Sequence, residues 1–269
     1  MQRSAGEAAQ VRELAERLAR EAGRIQRERY ESSFEIRKKS GASDLVTEVD
    51  HACEALIVEA LDDLRPGDAI LAEEGSGSDR ADAPWRWIVD PLDGTTNFAH
   101  GYPRFCVSIG VEHEGVRTIG VVYDPLRDEL FSALRGHGAT CNGDPIAVSP
   151  ETQLGEALIG MGTSYDTRRS FEENMARILA LARGSRATRR DGSAALDLCC
   201  VAAGRFDGYW ELNLKAWDVA AGFLLVEEAG GRVSALDGGP APASGEEVLA
   251  SNGRIHDALL EILRNSSDA

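Results

Sequence analysis

The first part of the chain contains two segments whose apolar residues recur with the period of a helix. From residue 8 to residue 30, apolar side chains fall on one face, and Arg and Glu occupy the other, which predicts an amphipathic helix. Thr47 and Asp50 have the spacing of a capping box, so a second helix is predicted to begin after Thr47. The run Arg65-Pro66-Gly67 breaks helices and is predicted to end it.

Short apolar runs predict strands in the middle of the chain. The first covers residues 69–72. A second, from Trp87 to Val89, is predicted to stop at Asp90-Pro91, because proline cannot donate a hydrogen bond to a sheet ladder. Thr95 is then predicted to cap a short helix that begins near Thr96. Three later runs joined by short turns predict an antiparallel meander, and they cover residues 106–112, 117–123 and 129–134.

Strand-like and helix-like patterns alternate in the second half. This alternation, with the mid-chain meander, predicts an α/β fold in which helices are layered on sheets. We place a boundary near Pro150, which divides the chain into an N-terminal α+β lobe, residues 1–150, and a C-terminal α/β lobe, residues 151–269. Strands are predicted at residues 157–161, 208–212 and 248–250, and helices at residues 171–182, 194–203, 218–229 and 255–263.

Composition excludes several classes of protein. The 269 residues are 43% hydrophobic, which is normal for a globular protein. The net charge of −16 argues against binding to nucleic acid, which needs clustered Lys and Arg. No apolar run approaches the roughly 18 residues that span a membrane, and the N-terminus lacks an apolar signal segment. The five cysteines lack zinc-type spacing, so we expect reduced thiols in a cytoplasmic protein.

Four acidic residues lie where an apolar segment ends or a helix begins: Glu73, Asp90, Asp93 and Asp218. Such segment ends gather along one rim of a sheet, where ligand sites form. Converging carboxylates repel one another unless cations lie between them, and oxygen ligands favour Mg²⁺ or Mn²⁺ over zinc. Taken singly, each residue is explained more simply as a solvated turn residue or a helix cap.

Four sequence blocks resemble the inositol monophosphatase family of Mg-dependent, lithium-sensitive sugar phosphatases, and the likeness covers nearly the whole chain. The blocks are Lys39 with Asp44-Leu45-Val46-Thr47-Glu48-Val49-Asp50, Leu71-Ala72-Glu73-Glu74, Trp87 to Phe98 (WIVDPLDGTTNF), and Trp217 to Gly222 (WDVAAG) with Glu228-Ala229-Gly230-Gly231. The resemblance implies a layered α/β/α/β/α sandwich, usually a homodimer. It also implies hydrolysis of a small phosphorylated polyol or sugar, with myo-inositol monophosphate as the expected substrate.

The resemblance also implies residue roles. Two or three Mg²⁺ ions, with Mn²⁺ as an alternative, would be held by Glu73, Asp90, the Leu92 carbonyl, Asp93 and Asp218. Glu73 and Thr95 would position and deprotonate the attacking water, and Asp50 would orient Thr95. The amides of Gly94, Thr95 and Thr96 would bind the phosphate. Substrate hydroxyls would be contacted by Asp93, by Glu211 and by the turn Gly192-Ser193-Ala194.

Several alternatives stay open. Thr163 resembles a further polar contact less closely, and Lys39 and Asp44 either close a catalytic loop or form a surface ion pair. The basic segment from Arg183 to Arg190 either recognises a second phosphate or belongs to a surface or dimer contact. Fructose 1,6-bisphosphate, histidinol phosphate and nucleotides remain alternative substrates, and a non-catalytic, metal-bound module that acts through protein partners is the alternative outside enzymology.

Overall fold

Helices and strands alternate along most of the chain. The computed structural model describes residues 2–33, 35–38, 45–162 and 171–266. The α-helices are α1 (Gln2–Arg29), α2 (Glu48–Leu64), α3 (Thr95–Ala99), α4 (Phe171–Gly184), α5 (Ala194–Ala202), α6 (Ala216–Glu228) and α7 (His256–Asn265). The strands are β1 (Ile36–Lys38), β2 (Leu45–Thr47), β3 (Ala69–Ala72), β4 (Trp85–Asp93), β5 (Cys106–His113), β6 (Val116–Asp124), β7 (Glu129–Leu134), β8 (Ala139–Cys141), β9 (Asp144–Pro145), β10 (Leu158–Met161), β11 (Ala187–Arg189), β12 (Gly208–Leu212), β13 (Arg232–Ser234) and β14 (Glu247–Ser251).

Two large sheets organise these elements. The first has seven strands in the order β3-β4-β5-β6-β7-β8-β9. In this sheet β3 is parallel to β4, and every later neighbour is antiparallel. The second has five strands in the order β11-β10-β12-β14-β13, with β10 parallel to both of its neighbours. Strands β1 and β2 form a separate antiparallel pair.

The helices lie in three layers around the two sheets. Helices α1 and α2 pack on one face of the seven-stranded sheet, and α5 and α6 fill the space between the sheets. Helices α4 and α7 cover the outer face of the five-stranded sheet. Each interface has its own cluster of buried apolar side chains, as expected when every apolar face must be covered. The predicted α/β/α/β/α sandwich is confirmed.

Helix α6 approaches the seven-stranded sheet closely at two glycines. A Cβ on Gly110 of β5 would lie 2.5 Å from the Cβ of Ala220, and one on Gly120 of β6 would lie 2.5 Å from the Ala221 carbonyl. Only residues without a side chain leave room for backbones at this separation. The close contact brings the first turn of α6 to the end of β4.

Several local predictions hold. The meander of three antiparallel strands is present. Helix α2 begins with the expected capping box, in which the Thr47 amide donates to Asp50 Oδ2 at 2.8 Å. Helix α6 ends before Gly230, whose φ of 87° suits the residue after a C-cap. The sequence division at residue 150 stays a prediction.

Two predictions about the central stretch are wrong. The strand does not end at Asp90-Pro91, because β4 continues to Asp93, which pairs with Cys106. The pairing register shifts between Asp90 and Asp93, so Pro91 lies in an irregular part of the ladder, where the missing N–H matters less. Thr95 is not the helix cap. Gly94 holds that position with a φ of 94°, and α3 begins at Thr95 itself.

Short strands were missed. Strands β8 and β9 form a hairpin around Asn142 and Gly143, and β11 lies inside the basic segment. Elements of two or three residues are too short to show a period. Among the described residues, no helix is both long and apolar enough to cross a membrane, and the five cysteines are free thiols.

Candidate metal centre

A cleft with a volume of about 110 Å³ opens at the end of β4. We call it the carboxylate cleft and define it by Glu73, Asp90, Asp93 and Asp218 on its wall. Glu73 follows β3, and because β3 is the parallel neighbour of β4, the two strands deliver their acidic residues to the same edge. Asp218 is the third residue of α6 and reaches the cleft from the layer between the sheets.

The structure brings the predicted site residues together. All of them except Asp50 and Ser193 line the carboxylate cleft. Asp50 lies directly behind Thr95, and Ser193 lies behind Asp93. Lys39, Asp44 and Thr163 fall outside the described residues. The residues on the cleft wall are Glu73, Asp90, Leu92, Asp93, Gly94, Thr95, Thr96, Gly192, Ala194, Glu211 and Asp218.

Three carboxylates converge closely. Asp90, Asp93 and Asp218 each present one oxygen, and these oxygens lie within 4.8 Å of one another. Glu73 lies close enough to Asp90 to help raise the pKa of that carboxyl group. Burial, reinforced by the neighbouring carboxylates, raises the pKa of Asp90 and Asp218 well above the usual range. Cations between these oxygens would remove the repulsion, and a donor set made of oxygen alone fits Mg²⁺ or Mn²⁺.

Asp218 is fixed by the start of its own helix. Its Oδ2 accepts the amide of Lys215 at 2.7 Å. A carboxylate at this helical position is also favoured by the helix dipole. The side chain is therefore oriented by α6, whose position depends on packing between the sheets.

Thr95 is held from two sides. Its hydroxyl lies 2.9 Å from Oδ1 of Asp50 and 3.0 Å from the Leu92 carbonyl, and it can donate its single hydrogen to either acceptor. Asp50 is itself buried and anchored by Thr47 through the capping box. With its hydrogen engaged in this way, the Thr95 oxygen is oriented to accept a hydrogen bond from the cleft side.

Glu211 also lines the carboxylate cleft. The Tyr209 hydroxyl donates to its Oε2. Burial raises the pKa of Glu211 to about 7, whereas the Tyr209 hydrogen bond and the charge of Arg190 pull in the other direction. Gly162 lies against the Glu211 carboxyl group, with no room for a side chain between them.

The basic segment from Arg183 to Arg190 has one arginine in the carboxylate cleft and others at the protein surface. Arg190 lines the carboxylate cleft. Arg186 forms an ion pair with Glu156 at the surface, and Arg189 is exposed. Only the last residue of the segment is therefore placed to meet a ligand in the cleft.

Sequence reasoning missed a buried ion pair beside the site. Arg104, only 8% exposed, donates from Nη2 to Oδ1 of Asp197 at 2.8 Å. Asp197 also contributes to the cleft wall. The available signal was an aspartate within the otherwise apolar helix predicted at residues 194–203, since a buried charge requires a partner.

Comparison with known proteins agrees with this fold and cleft. A model of the inositol monophosphatase family matches residues 7–268. An inositol-1-monophosphatase from Synechocystis sp. is 47% identical over 229 residues, which are 85% of this chain and 80% of that protein. The Nus factor SuhB of Haemophilus influenzae is 40% identical over 252 residues, 93% of this chain and 94% of that protein.

A solved structure shares the architecture. The crystal structure of an IMPase/NADP phosphatase complexed with Mg²⁺ and phosphate aligns with a TM-score of 0.84 and 28% identity, over 95% of each chain. The fold and the carboxylate cleft are thus of the kind found in this phosphatase structure. The chain belongs to the inositol monophosphatase family.

Proposed function

We propose that this protein is a Mg²⁺-dependent phosphomonoesterase that hydrolyses myo-inositol monophosphate to inositol and phosphate. The observation that carries the proposal is one cleft with a carboxylate cluster (Asp90, Asp93, Asp218), a Thr95–Asp50 hydrogen bond and Glu211 in its lining. The first two features suit water attack on a phosphate ester, and the third suits recognition of an alcohol.

The cation ligands would be Glu73, Asp90, Asp93, Asp218 and the carbonyl of Leu92. When bound, Mg²⁺ supplies Lewis-acid stabilisation of the phosphate oxygens and increases the acidity of water. Support comes from the raised pKa of Asp90, whose burial among other carboxylates is unfavourable without a cation. The related IMPase/NADP phosphatase was crystallised with Mg²⁺ and phosphate, which favours the same pairing of ligands.

Thr95 and Glu73 would prepare the attacking water. Because the Thr95 hydrogen is held by Asp50 and Leu92, its oxygen accepts a hydrogen bond from the water and fixes the direction of attack. Glu73 is the carboxylate that would take the proton. Asp50 touches neither water nor substrate and acts by holding Thr95.

The phosphate would bind at the first turn of α3. Amides of a first helical turn have no partner within the helix, and such amides bind phosphate. Gly94, Thr95 and Thr96 all line the carboxylate cleft. The positive φ of Gly94 turns the backbone into α3 directly after Asp93, which places these amides beside the cation ligands.

Recognition of the alcohol would rest on Glu211. Its carboxylate accepts hydrogen bonds from polyol hydroxyls, and the Tyr209 hydroxyl holds it in place. Arg190, which also lines the cleft, adds a positive charge that acts on Glu211. A polyol monophosphate carries both hydroxyls and a negative charge, which matches this pair of side chains.

The proposal is tested by measuring phosphate release with Mg²⁺ from a panel of substrates. The panel contains myo-inositol 1-phosphate, fructose 1,6-bisphosphate, histidinol phosphate and a nucleotide monophosphate. We expect the highest kcat/KM for myo-inositol 1-phosphate. A higher kcat/KM for another ester would change the proposed substrate and keep the proposed phosphatase reaction. If folded protein releases phosphate from none of the esters, the proposed phosphatase activity is refuted.

A second candidate function is action through a protein partner. The relative from Haemophilus influenzae that matches over 93% of this chain is called a Nus factor and is not named for a phosphatase activity. An inactive but Mg²⁺-binding protein in the panel assay would favour this candidate. We also propose a homodimer, as expected from the family, and light scattering of the purified protein tests it.

A further inference from the structure

Ser193 occupies the N-cap position of α5 but does not cap it. Serine at this position ordinarily accepts a hydrogen bond from an amide in the first turn. Here the side chain makes no capping hydrogen bond. Instead its hydroxyl donates to Oδ2 of Asp93 at 2.6 Å. The serine is directed at a carboxylate that lies 100 residues away in sequence.

Asp93 takes over the role of the cap. Its Oδ2 also accepts the amide of Ala195, in the first turn of α5, at 2.8 Å. These hydrogen bonds, with the charge of Arg104, oppose the effect of burial, which raises the pKa of Asp93. Oδ2 of Asp93 therefore accepts hydrogen bonds from the Ser193 hydroxyl and the Ala195 amide, and these two donors fix the orientation of the carboxylate plane.

Hydrogen bonds from the first half of the chain hold the turn that carries Ser193. The Asn97 side-chain amide donates to the carbonyls of Asp191 at 2.8 Å and of Gly192 at 3.2 Å. The same amide group donates to the carbonyl of Arg104 at 2.7 Å. The Arg104 side chain in turn binds Asp197 of α5 through a buried ion pair. Asn97 thus holds the turn before α5, and Arg104 holds the helix itself, and both residues lie in the segment that follows β4.

We propose that Ser193 is a positioning residue for Asp93, which orients this carboxylate towards the bound cations, rather than a contact to the substrate. Ser193 is 1% exposed and does not line the carboxylate cleft, so a substrate hydroxyl cannot reach it. The inference rests on the proposed function only in that Asp93 is a cation ligand. Partners that orient a metal ligand typically contribute about tenfold to 100-fold in metal affinity or activity.

The test measures cation binding directly, without turnover. Mn²⁺ binding to wild type and to Ser193→Ala is followed by isothermal titration calorimetry. We expect the Kd of Ser193→Ala to rise about tenfold. Ser193→Thr, which keeps the hydroxyl, should bind Mn²⁺ within about twofold of wild type, because the donor to Asp93 is restored.

Ser234→Ala is the matched control. Ser234 is also 1% exposed, and its hydroxyl contacts His256 away from the carboxylate cleft. We expect it to leave the Kd for Mn²⁺ unchanged. If Ser193→Ala does not fold, Ser193→Cys replaces it, since a thiol fills the same space but donates weakly, and the Kd should again rise.

Steady-state kinetics separate positioning from substrate contact. For Ser193→Ala, the Mg²⁺ concentration that gives half-maximal rate should rise with the Kd, while the KM for myo-inositol 1-phosphate at saturating Mg²⁺ stays near the wild-type value. An unchanged Kd for Mn²⁺, or a raised KM with unchanged Kd, would overturn the inference. Mn²⁺ binding by a wild type that hydrolyses no ester would overturn the proposed function alone, because the calorimetric comparison remains valid.

Discussion

Replacing Gly162 by alanine tests whether the position of Glu211 sets recognition of the alcohol. A Cβ at residue 162 would overlap the carboxyl group of Glu211. The φ of Gly162 lies outside the left-handed region, so alanine is compatible with the backbone. Glu211 is a flexible side chain, and we expect it to yield by roughly 2 Å, which separates the atoms to van der Waals contact.

The cost should appear in substrate binding. A displacement of roughly 2 Å breaks a directional hydrogen bond between the Glu211 carboxylate and a substrate hydroxyl. Hydrogen bonds to charged groups contribute about 1.5–3 kcal/mol, and each 1.4 kcal/mol corresponds to about tenfold. We therefore expect the KM for myo-inositol 1-phosphate to rise about 10- to 100-fold, with a much smaller change in kcat.

The assay compares two substrates. p-Nitrophenyl phosphate has no polyol hydroxyls, so its KM should stay within about twofold of wild type if Gly162→Ala acts only through Glu211. Gly155→Ala is the control, since a Cβ there meets nothing within 4 Å. In the double variant with Glu211→Ala, the effects should not add, because both changes remove one interaction. Equal losses on both substrates, or an unchanged KM for the inositol ester, would refute the reasoning.

The remaining predictions concern the carboxylates and His256. Asp93→Asn and Asp218→Asn should each lower kcat by roughly 100-fold or more in a folded protein, and wild-type kinetics in either would contradict the cation assignment. Burial raises the pKa of Asp90, Asp93 and Asp218, so the cation-free fold loses stability as pH rises. Mg²⁺ should therefore raise the Tm more at about pH 8 than at about pH 5, and equal shifts would argue against the cluster as its site. Burial lowers the pKa of His256 from 6.5 to about 4, so as pH falls between these values the unfolded chain takes up the proton before the folded protein does. The free energy of unfolding therefore falls over this pH range, by up to about 3 kcal/mol. Urea unfolding of His256→Gln should show a flatter pH dependence over the same range, and a profile parallel to that of wild type would contradict the prediction. Li⁺ should inhibit turnover in competition with Mg²⁺, which varied Mg²⁺ concentrations would reveal.

The elements that could be predicted from sequence are those specified by neighbouring residues. The meander from Cys106 to Leu134 was predicted because its alternation and turns lie within each strand and its adjoining loop. The capping box of Thr47 and Asp50 was predicted because both partners lie within one turn. The same locality explains one error: Pro91 is a valid signal for the end of a strand, but the register shift that tolerates it depends on the pairing with β5.

The residues of the candidate site were predicted from the resemblance of sequence motifs to a family. The distances and orientations of their side chains could not be predicted from those motifs. Glu73, Asp90 and Asp93 share a sheet edge that strand ends suggest. Their meeting with Asp218 requires α6 to pack on Gly110 and Gly120. No local pattern around residue 218 reports that contact, since it depends on how two sheets are layered.

Ser193 shows the difference most clearly. From sequence, the turn Gly192-Ser193-Ala194 was expected to contact the substrate, and the structure places two of its residues on the cleft wall. The serine itself does not line the cleft, and its hydroxyl donates to Asp93. Local chemistry determines that a serine precedes a helix, because a polar residue is favoured there. Which partner its hydroxyl reaches is decided by the packing of α5 between the two sheets, which brings its N-terminus to Asp93 at the end of β4.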